Sequence, residues 1–312
     1  MTIKHLVISG GGPSGLVAYG VIKHLVIQKF LDISSLETIY TSSVGSIFGA
    51  VVTLGYDWEW LDDYFIKRPW NKILEIDPTI LMNSFTDKGI YGLEIHQKLL
   101  EPLLTAKNLS PTITLKEYYE YNNIEFHIFT SDLNKDIPMS IDLSYKTHPD
   151  LPLVKAIYMS ASFPFLFKPL CEDGSCFIDG GLLNNYPLQN CIDNIKKINS
   201  KNNNNKQKSD FVNYDEIIAL KKITTTNTRT ICNDTNVLEY GLEMYRKMHQ
   251  AILKDTESKS NDIENTIECV VKNETGFESW WNIFSTEKGR KEVISDGESI
   301  AKEFIEKHLK TA

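Results

Sequence analysis

The sequence predicts an α/β fold with three layers, in which helices cover both faces of a central, mostly parallel sheet. Two observations support this prediction. Short apolar runs of strand length alternate with segments of helix length from the start of the chain, and strands separated in this way imply right-handed crossovers. In addition, 42% of the 312 residues are hydrophobic, which is enough to fill a sizeable core.

The alternation is clearest at the start of the chain, where it predicts a strand, a glycine turn, a helix, a second strand and a second helix. These predicted elements are Lys4–Ser9, Leu16–Lys29, Glu37–Ser42 and Val44–Leu54. The aromatic-rich segment DWEWLDDYFIKRPW, residues 57–70, predicts a helix that ends at Pro69. The elements predicted after it are a loop with Asn83 and Gly89, a helix near Leu93–Ala106, strands at Ile124–Ser131 and Pro138–Leu143, a helix near Leu153–Ser160, a hairpin near Cys171–Ile178 and a helix opened by Pro187.

The domain organisation is predicted from a polar interruption late in the chain. The run SKNNNNKQKSD has no aromatic residue and cannot bury enough surface to fold, so a loop is expected at about residues 199–212. The strand DEIIAL, Asp215–Leu220, resumes the sheet after it. We therefore expect one region over residues 4–221 with an inserted loop. Residues 222–312 are expected to form a helical extension on the same domain, including a helix near Val237–Lys254.

Charge and cysteine content limit the class of partner and the compartment. A net charge of -8 and a pI near 5.5 argue against nucleic-acid binding, which depends on Lys and Arg at phosphates. No apolar run is long enough for a signal peptide or a membrane span. The five cysteines form no CxxC pair, and Cys171 and Cys176 are expected to be free thiols in a hairpin. These features predict a soluble intracellular protein.

Ser43 is the candidate nucleophile, because YTSSVGS places it between a predicted strand and a predicted helix. A sharp turn there exposes the hydroxyl and lets the next amide, that of Val44, donate to an oxyanion. Gly45 completes half of a GxSxG pattern, whereas Thr41 stands where that pattern expects glycine. The alternative is a serine that only caps the helix.

A glycine-rich turn, GGGPSG, follows the first strand and contains Gly10, Gly11, Gly12 and Gly15. Its amides could form an oxyanion hole, and the same glycines fit the GxGxxG turn that binds the phosphates of FAD. A dinucleotide site needs an acidic residue at the end of the second strand, but Glu37 opens that strand and serines close it. The third alternative is a turn required only for tight packing.

Asp179 is the candidate base, in CFIDGGLLNNYP, where an apolar strand ends in Asp179, Gly180 and Gly181. An Asp-Gly turn that only closes a hairpin is the alternative. None of the seven histidines lies in a turn with a motif around it. If one of them served as the base instead, His127 and His148 would be the residues to test.

Together these segments resemble the patatin-like phospholipase family: SGGGPSG its glycine loop, TSSVGS its serine turn and IDGGLLNNYP its DGG turn. TSDLN from Thr130 and SASFPFLFKP from Ser160 agree in order, and the resemblance covers about residues 4–221. It implies a patatin-like fold in which Ser43 attacks an ester carbonyl and Asp179 accepts the proton. The amides of the Gly10–Gly12 loop would hold the oxyanion. Ser14 stands where the family usually has a basic residue.

The resemblance implies a lipid acyl hydrolase of the phospholipase A type that needs no cofactor and no metal. Its expected partners are a phospholipid or another acyl-ester lipid and, peripherally, a membrane surface. The alternative is an inactive patatin-fold protein that binds lipid or a partner. Two aromatic groups are candidates for an acyl pocket or an interfacial patch, with ordinary core packing as the alternative: Trp58, Trp60, Tyr64, Phe65 and Trp70, and Phe163, Phe165 and Phe167.

Overall fold

The fold is known from a computed structural model, which describes residues 2–12, 15–75, 78–202, 211–224, 230–257, 262–271, 283 and 285–311. Its strands are β1 (His5–Ile8), β2 (Thr38–Ser42), β3 (Gly89–Tyr91), β4 (Glu125–Asp132), β5 (Met139–Leu143), β6 (Phe165–Phe167), β7 (Leu170–Glu172), β8 (Ser175–Asp179), β9 (Ile217–Thr224) and β10 (Thr266–Val271).

The α-helices lie between these strands and after them. They are α1 (Gly15–Ile27), α2 (Val44–Thr53), α3 (Trp58–Lys67), α4 (Trp70–Ile73), α5 (Pro78–Asp87), α6 (Leu93–Ala106), α7 (Leu115–Asn122), α8 (Leu153–Ala161), α9 (Leu188–Asn202), α10 (Val237–Glu257) and α11 (Glu287–Thr311). Within the described ranges, none of the helices is long and apolar enough to cross a membrane.

The main sheet has eight strands and is mostly parallel, as predicted. Its order is β10-β9-β1-β2-β4-β8-β7, and β5 also pairs with β4. The first five strands of this order run parallel, whereas β5, β7 and β8 join by antiparallel pairing. A separate parallel pair is formed by β3 and β6.

Helices bury the two faces of the sheet in two apolar clusters, because alternate side chains of each strand point to opposite faces. On one face Leu6 and Ile39 join the larger cluster with residues of α1, α2 and α8. On the other face Val7 and Tyr40 join a smaller cluster with residues of α9. This arrangement confirms the predicted three layers.

The C-terminal segment adds to both the sheet and a helical layer. Helix α11 packs against α1, and Lys23 of α1 binds Glu298 of α11 at 2.7 Å and Asp62 of α3 at 2.6 Å. Strand β10 extends the sheet beyond β9, although the sequence predicted only helix after residue 221. Its apolar run TIECVV is interrupted by a glutamate, so a period-2 pattern was easy to miss.

Most predicted elements are present, and besides β10, two predicted loops differ in the structure. The predicted loop with Asn83 and Gly89 is instead helix α5 followed by β3, and Pro78 occupies the first helical position, where its missing N–H costs nothing. Of the predicted loop at 199–212, residues 199–202 form the end of α9 and residues 203–210 lie outside the described ranges.

Candidate active site

Strand pairing brings the ends of β2 and β8 together. Strand β5 occupies one edge of β4 over residues 128–132, so β2 and β8 must share the other edge. Ser42, the last residue of β2, pairs with Phe129, and Asp179, the last residue of β8, pairs with Thr130. The two strands run in opposite directions and meet there, so the residue after Ser42 faces Asp179.

Ser43 occupies that junction in a backbone conformation that few non-glycine residues adopt. Its φ is 51° and its ψ is -132°, which is strained for a side chain with a Cβ atom. Neighbouring bonds hold it in place: its amide donates to Ser160 Oγ at 2.9 Å, and Ser46 Oγ donates to its carbonyl at 2.6 Å. Ser160 Oγ in turn donates to the carbonyl of Phe129 at 2.6 Å. The turn is therefore a strand-to-helix elbow fixed on both sides.

Thr41 fits into the elbow despite standing where the pattern expects glycine. Its side chain is fully buried, and its hydroxyl donates to the carbonyl of His127 at 3.1 Å. Its methyl group faces Gly49 of α2, where an added Cβ would lie 3.1 Å from Thr41 Cγ2. The room that glycine usually provides on the strand is thus provided by a glycine on the facing helix.

Asp179 accepts hydrogen bonds on both carboxylate oxygens. Ser43 Oγ donates to Oδ2 at 2.5 Å, and the amide of Gly181 donates to Oδ1 at 2.7 Å. Burial raises the pKa of Asp179, and the bonds from Ser43 and Gly181 and the charge of Lys222 lower it, which leaves the pKa at about 6. The carboxylate is therefore ionised at neutral pH and can accept a proton from the serine.

The glycine loop lies directly against the elbow. A Cβ atom on Gly10 would come within 2.9 Å of Ser43 Cβ. Asn185, from the segment after the DGG turn, binds both sides of Gly10: its carbonyl accepts from the Gly10 amide at 3.0 Å, and its Nδ2 donates to the Gly10 carbonyl at 3.4 Å. Because its amide is used in this way, Gly10 is corrected from an oxyanion donor to an anchor of the loop.

The amides of Gly11, Gly12 and Val44 are the other candidate oxyanion donors. Gly12 has a φ of 56°, in the left-handed region that glycine enters at little cost. Gly11 and Gly12 follow Gly10 on the loop, and both are partly exposed. Val44 opens α2, so its amide is in the first turn, where helix amides lack an acceptor within the helix.

The remaining motif glycines allow close contacts around the elbow. A Cβ on Gly45 would lie 2.7 Å from the carbonyl oxygen of Ile8, so α2 could not approach the end of β1. Added Cβ atoms on the other three would collide with groups around Ser43 and Asp179. Gly15 faces the side chains of Val44 and Phe48, Gly180 faces the carbonyl of Phe129, and Gly181 faces the side chains of Asn185 and Asp179.

The two histidines considered as alternative bases lie elsewhere. His127 stacks on Tyr40 with ring centroids 4.3 Å apart, and its nitrogens lie 2.8 Å from Asp142 and 3.1 Å from Glu125. Burial alone would lower its pKa, but these two carboxylates raise the pKa to about 9, so the ring is protonated at neutral pH and is a poor base. The Nδ1 of His148 lies 2.9 Å from Thr147 Oγ1.

Four further residues near the site were not predicted as site residues. Ser160 and Asn185 lie inside segments that supported the resemblance, SASFPFLFKP and DGGLLNNYP, and only the fold gives them their contacts. Lys222 of β9 donates to the carbonyl of Gly11 at 3.2 Å. Tyr245 of α10 packs on Phe163 with ring centroids 5.1 Å apart, and burial and the charge of Asp179 raise its pKa. Nothing in the local sequence marks the last two.

The aromatic groups divide between core and site. Phe65 and Trp70 are buried, and Trp58 and Tyr64 pack against the same core. Trp60 stacks on Tyr64 but is 42% exposed, so this segment is core packing apart from Trp60. Phe163 contacts α10, and Phe165 lies 3.4 Å from where a Cβ of Gly241 would be. Of the second group, Phe163 borders the site through Tyr245, whereas Phe167 packs on Tyr91, His96 and Tyr158.

The structure also bears on two other kinds of site, one for a metal ion and one for a dinucleotide. Across the part of the chain that is described, no group of three or more His, Cys, Asp or Glu side chains could hold a metal ion. Strand β2 ends in Ser42 and leads to Ser43, so the position that would hold the ribose of a dinucleotide carries a hydroxyl bound to Asp179 instead.

The fold and the site define an α/β protein of three layers, with a serine at a strand-to-helix elbow bonded to a buried carboxylate. Comparison with known proteins specifies the family. Residues 6–192 match the family described as patatin-like phospholipase, which is more than half of the chain, and the protein therefore belongs to this family.

Relatives in sequence come from viruses and bacteria. The chain is 28% identical over 212 residues to a probable lipid hydrolase of Invertebrate iridescent virus 6, which covers 67% of this chain and 68% of the viral protein. It is 25% identical over 197 residues to an uncharacterised protein of Bacillus subtilis, with 58% and 64% covered. The match thus spans about two thirds of the length of these relatives.

A solved structure agrees with the fold. VipD from Legionella pneumophila superposes with a TM-score of 0.54 and 16% identity, covering 99% of this chain and 67% of VipD. At this identity the likeness concerns the fold alone.

Proposed function

We propose that the protein is a lipid acyl hydrolase of the phospholipase A type, which cleaves acyl esters through Ser43 and Asp179. The observation that carries the proposal is the bond of 2.5 Å between Ser43 Oγ and Asp179 Oδ2. It joins the hydroxyl at the tip of the elbow to a carboxylate that is ionised at neutral pH, since the pKa of Asp179 is about 6. Membership of the patatin-like phospholipase family and the probable lipid hydrolase among the relatives support the lipid substrate.

In the proposed first step, Ser43 Oγ attacks the ester carbonyl carbon while its proton moves to Asp179 Oδ2. The carbonyl π electrons move to its oxygen, and the amides of Gly11, Gly12 and Val44 bind that oxyanion. When the oxyanion reforms the carbonyl, the alkoxide leaves and takes the proton from Asp179. The products of this step are a free alcohol and an acyl ester of Ser43.

The proposed second step repeats the first with water as the nucleophile. Asp179 takes a proton from water as the oxygen bonds to the acyl carbon, and the same three amides bind the second oxyanion. Collapse breaks the bond to Ser43 Oγ, which recovers the proton held by Asp179. A fatty acid is released and both side chains return to their starting state, so the cycle balances without a further reactant.

The surroundings of the dyad suit a substrate with an apolar chain. Ser43 is 8% exposed and Asp179 is 3% exposed, and Phe163 and Tyr245 lie beside them. On the outer face of α10 a stripe of apolar side chains is exposed, spaced three and four residues apart: Val237, Tyr240, Met244 and Met248. Such a helix face favours a lipid surface, and we propose a peripheral contact with membranes there.

The second candidate function is an inactive patatin-fold protein that binds lipid. The sequence feature behind it was Thr41, which threatened to distort the elbow. The contact between Thr41 and Gly49 and the intact bond between Ser43 and Asp179 favour the active form.

The proposal is tested by measuring fatty-acid release from phosphatidylcholine vesicles and from a soluble short-chain ester, for the parent protein and for Ser43→Ala. Loss of the nucleophile is expected to reduce both rates by several orders of magnitude. Ser299→Ala, an exposed serine of α11 whose hydroxyl donates to the carbonyl of Ser295, is the serine control and should retain the parental rate. Equal hydrolysis by the parent and Ser43→Ala would contradict the proposal, and a parent inactive on both substrates would favour the binding protein.

A further inference from the structure

Lys222, on the strand next to β1, contacts the glycine loop that contains the candidate oxyanion donors. Lys222 lies on β9, which pairs with β1 up to Ile8 and Leu220. Its backbone amide donates to Ser9 Oγ at 2.8 Å, so Lys222 continues alongside β1 where the glycine loop begins. The loop itself, SGGGPSG, carries no charged side chain. The positive charge at this loop therefore comes from a residue more than 200 positions away in the sequence.

The side chain of Lys222 acts on one peptide of the loop. Its Nζ donates to the carbonyl of Gly11 at 3.2 Å. The peptide between Gly11 and Gly12 is planar and trans, so its N–H points opposite to its carbonyl. A carbonyl held on Lys222 therefore directs the Gly12 amide away from the lysine. A cation on the carbonyl also polarises the peptide and makes its N–H a stronger donor.

We infer that Lys222 is a positioning residue for ester hydrolysis, which fixes the peptide between Gly11 and Gly12 so that the Gly12 amide meets the oxyanion. This inference rests on the proposed function. Lys222 contacts the loop and not the reacting atoms, so its effect is expected in the rate of the chemical step. Substrate affinity should change little, because the oxyanion forms only in the transition state.

The positive charge of Lys222 also lowers the pKa of Asp179, the proposed base. Burial raises the pKa of Asp179, and Lys222 from β9 is the charged side chain that opposes it. The phenol of Tyr245, from α10, also faces Asp179 and is neutral, because burial raises its pKa. Removal of the lysine charge should therefore raise the pKa of Asp179 further and move the acidic limb of the pH profile to higher pH.

The neighbouring residue, Lys221, provides a matched control. Lys221 precedes Lys222 on the same strand, and its side chain points to the opposite face. It binds Asp262 at 2.8 Å and lies over the ring of Tyr186. Lys221→Met and Lys222→Met therefore make the same substitution and the same change of net charge on one strand, and only the second removes the contact with Gly11.

The experiment measures kcat and KM over pH 4.5–9 on a soluble short-chain ester for the parent, Lys222→Met, Lys222→Arg and Lys221→Met, with thermal melts for each. For Lys222→Met we expect kcat to fall on the order of 10-fold or more, KM to stay within about threefold, and the acidic limb to move up. Lys222→Arg keeps the charge and should leave the acidic limb near its parental position. Lys221→Met should match the parent in both kcat and pH profile.

Three results would overturn the inference. One is a Lys222→Met profile that matches Lys221→Met, and another is a rise in KM that accounts for the whole loss. The third is a loss in Lys222→Met that tracks a lowered melting temperature and is shared by Lys222→Arg with no shift of the acidic limb. In each case hydrolysis that still depends on Ser43 leaves the proposed function standing. A parent without hydrolysis that depends on Ser43 overturns both.

Discussion

Asp179→Asn should make the protein more stable at alkaline pH while it removes hydrolysis. In the fold the carboxylate is buried at 3% exposure, and its pKa is raised from 3.8 to about 6. A raised pKa means that folding favours the protonated form. The stabilisation it gives is fully present below pH 3.8 and is lost as the pH rises through about 6, so above pH 6 the charge opposes folding.

The size of this effect follows from the pKa values. Each pKa unit corresponds to about 1.4 kcal/mol, so the ionised Asp179 lowers the free energy of unfolding by up to about 3 kcal/mol at pH 8. Asparagine is neutral and nearly the same shape. Its Oδ1 can still accept from the Gly181 amide, and its Nδ2 can donate to Ser43. We expect Asp179→Asn to gain about 2 kcal/mol more at pH 8 than at pH 4.5.

The assay is urea unfolding of the parent and Asp179→Asn at both pH values, together with hydrolysis of a soluble ester at pH 8. The variant should lose at least about 100-fold in rate, because asparagine cannot accept the serine proton. Two results would refute the reasoning: a stability difference that does not change with pH, or near-parental hydrolysis by the folded variant. Near-parental hydrolysis by the folded variant would make His127 and His148 the next candidates for the base.

Three further variants test the framework around the dyad. Gly45→Ala should destabilise the protein by about 1–3 kcal/mol and reduce hydrolysis, because its methyl group would meet the carbonyls of Ile8 and Ser9. The control is Gly241→Ala, where the nearest atom to an added Cβ is 3.4 Å away. Equal losses in the free energy of unfolding for the two variants would contradict this explanation. Ser160→Ala should lower kcat and reduce the free energy of unfolding by about 1–2 kcal/mol, because the amide of Ser43 loses its acceptor. The hydroxyl of Ser162 donates to the carbonyl of Tyr158 in its own helix turn, so Ser162→Ala should keep the parental kcat. Equal kcat values in the two variants would count against a role for Ser160. Met244→Glu with Met248→Glu should weaken flotation with phosphatidylcholine vesicles while hydrolysis of a soluble ester persists. Leu309→Glu changes a residue of α11 that is more exposed than either methionine, and this variant should float as the parent does. Unchanged flotation of the methionine variant would remove α10 as the lipid contact.

The layers and most of the sheet could be predicted from the sequence because local pattern encodes them. The apolar runs of β1, β2, β4 and β9 are short and buried on both faces, and the helices between them set the parallel order. Strand β10 was missed because a glutamate, Glu268, interrupts its apolar run. Helix α5 was missed because Asn83 and the later Gly89 suggested a loop.

The site was predictable as far as turn chemistry marks it. Ser43 and Asp179 each end a strand in a turn with glycines, so the sequence singles them out, and the fold brings them within 2.5 Å. Their roles in catalysis stay predictions. The contacts of Asn185 and Lys222 depend on which strand ends are neighbours across long stretches of chain, and no local pattern carries that information.

Thr41 shows that a local sequence pattern can also suggest a defect that the fold removes. By local pattern it is a defect, because a β-branched residue stands where the elbow expects glycine. The compensating residue, Gly49, lies eight positions later on the facing helix and has no motif of its own. Room at a helix–strand contact is a property of both surfaces, so a pattern read from one strand cannot decide it.

The central claim is that Ser43 is a nucleophile activated by Asp179, and covalent labelling by a fluorophosphonate tests it most directly. The label should add one phosphonyl group to the peptide that contains Ser43, as mapped by mass spectrometry. The rate of labelling should rise with pH through about 6, as Asp179 ionises, and should fall sharply in Asp179→Asn and vanish in Ser43→Ala. A label on another serine, or a folded Asp179→Asn labelled at the parental rate, would contradict the account.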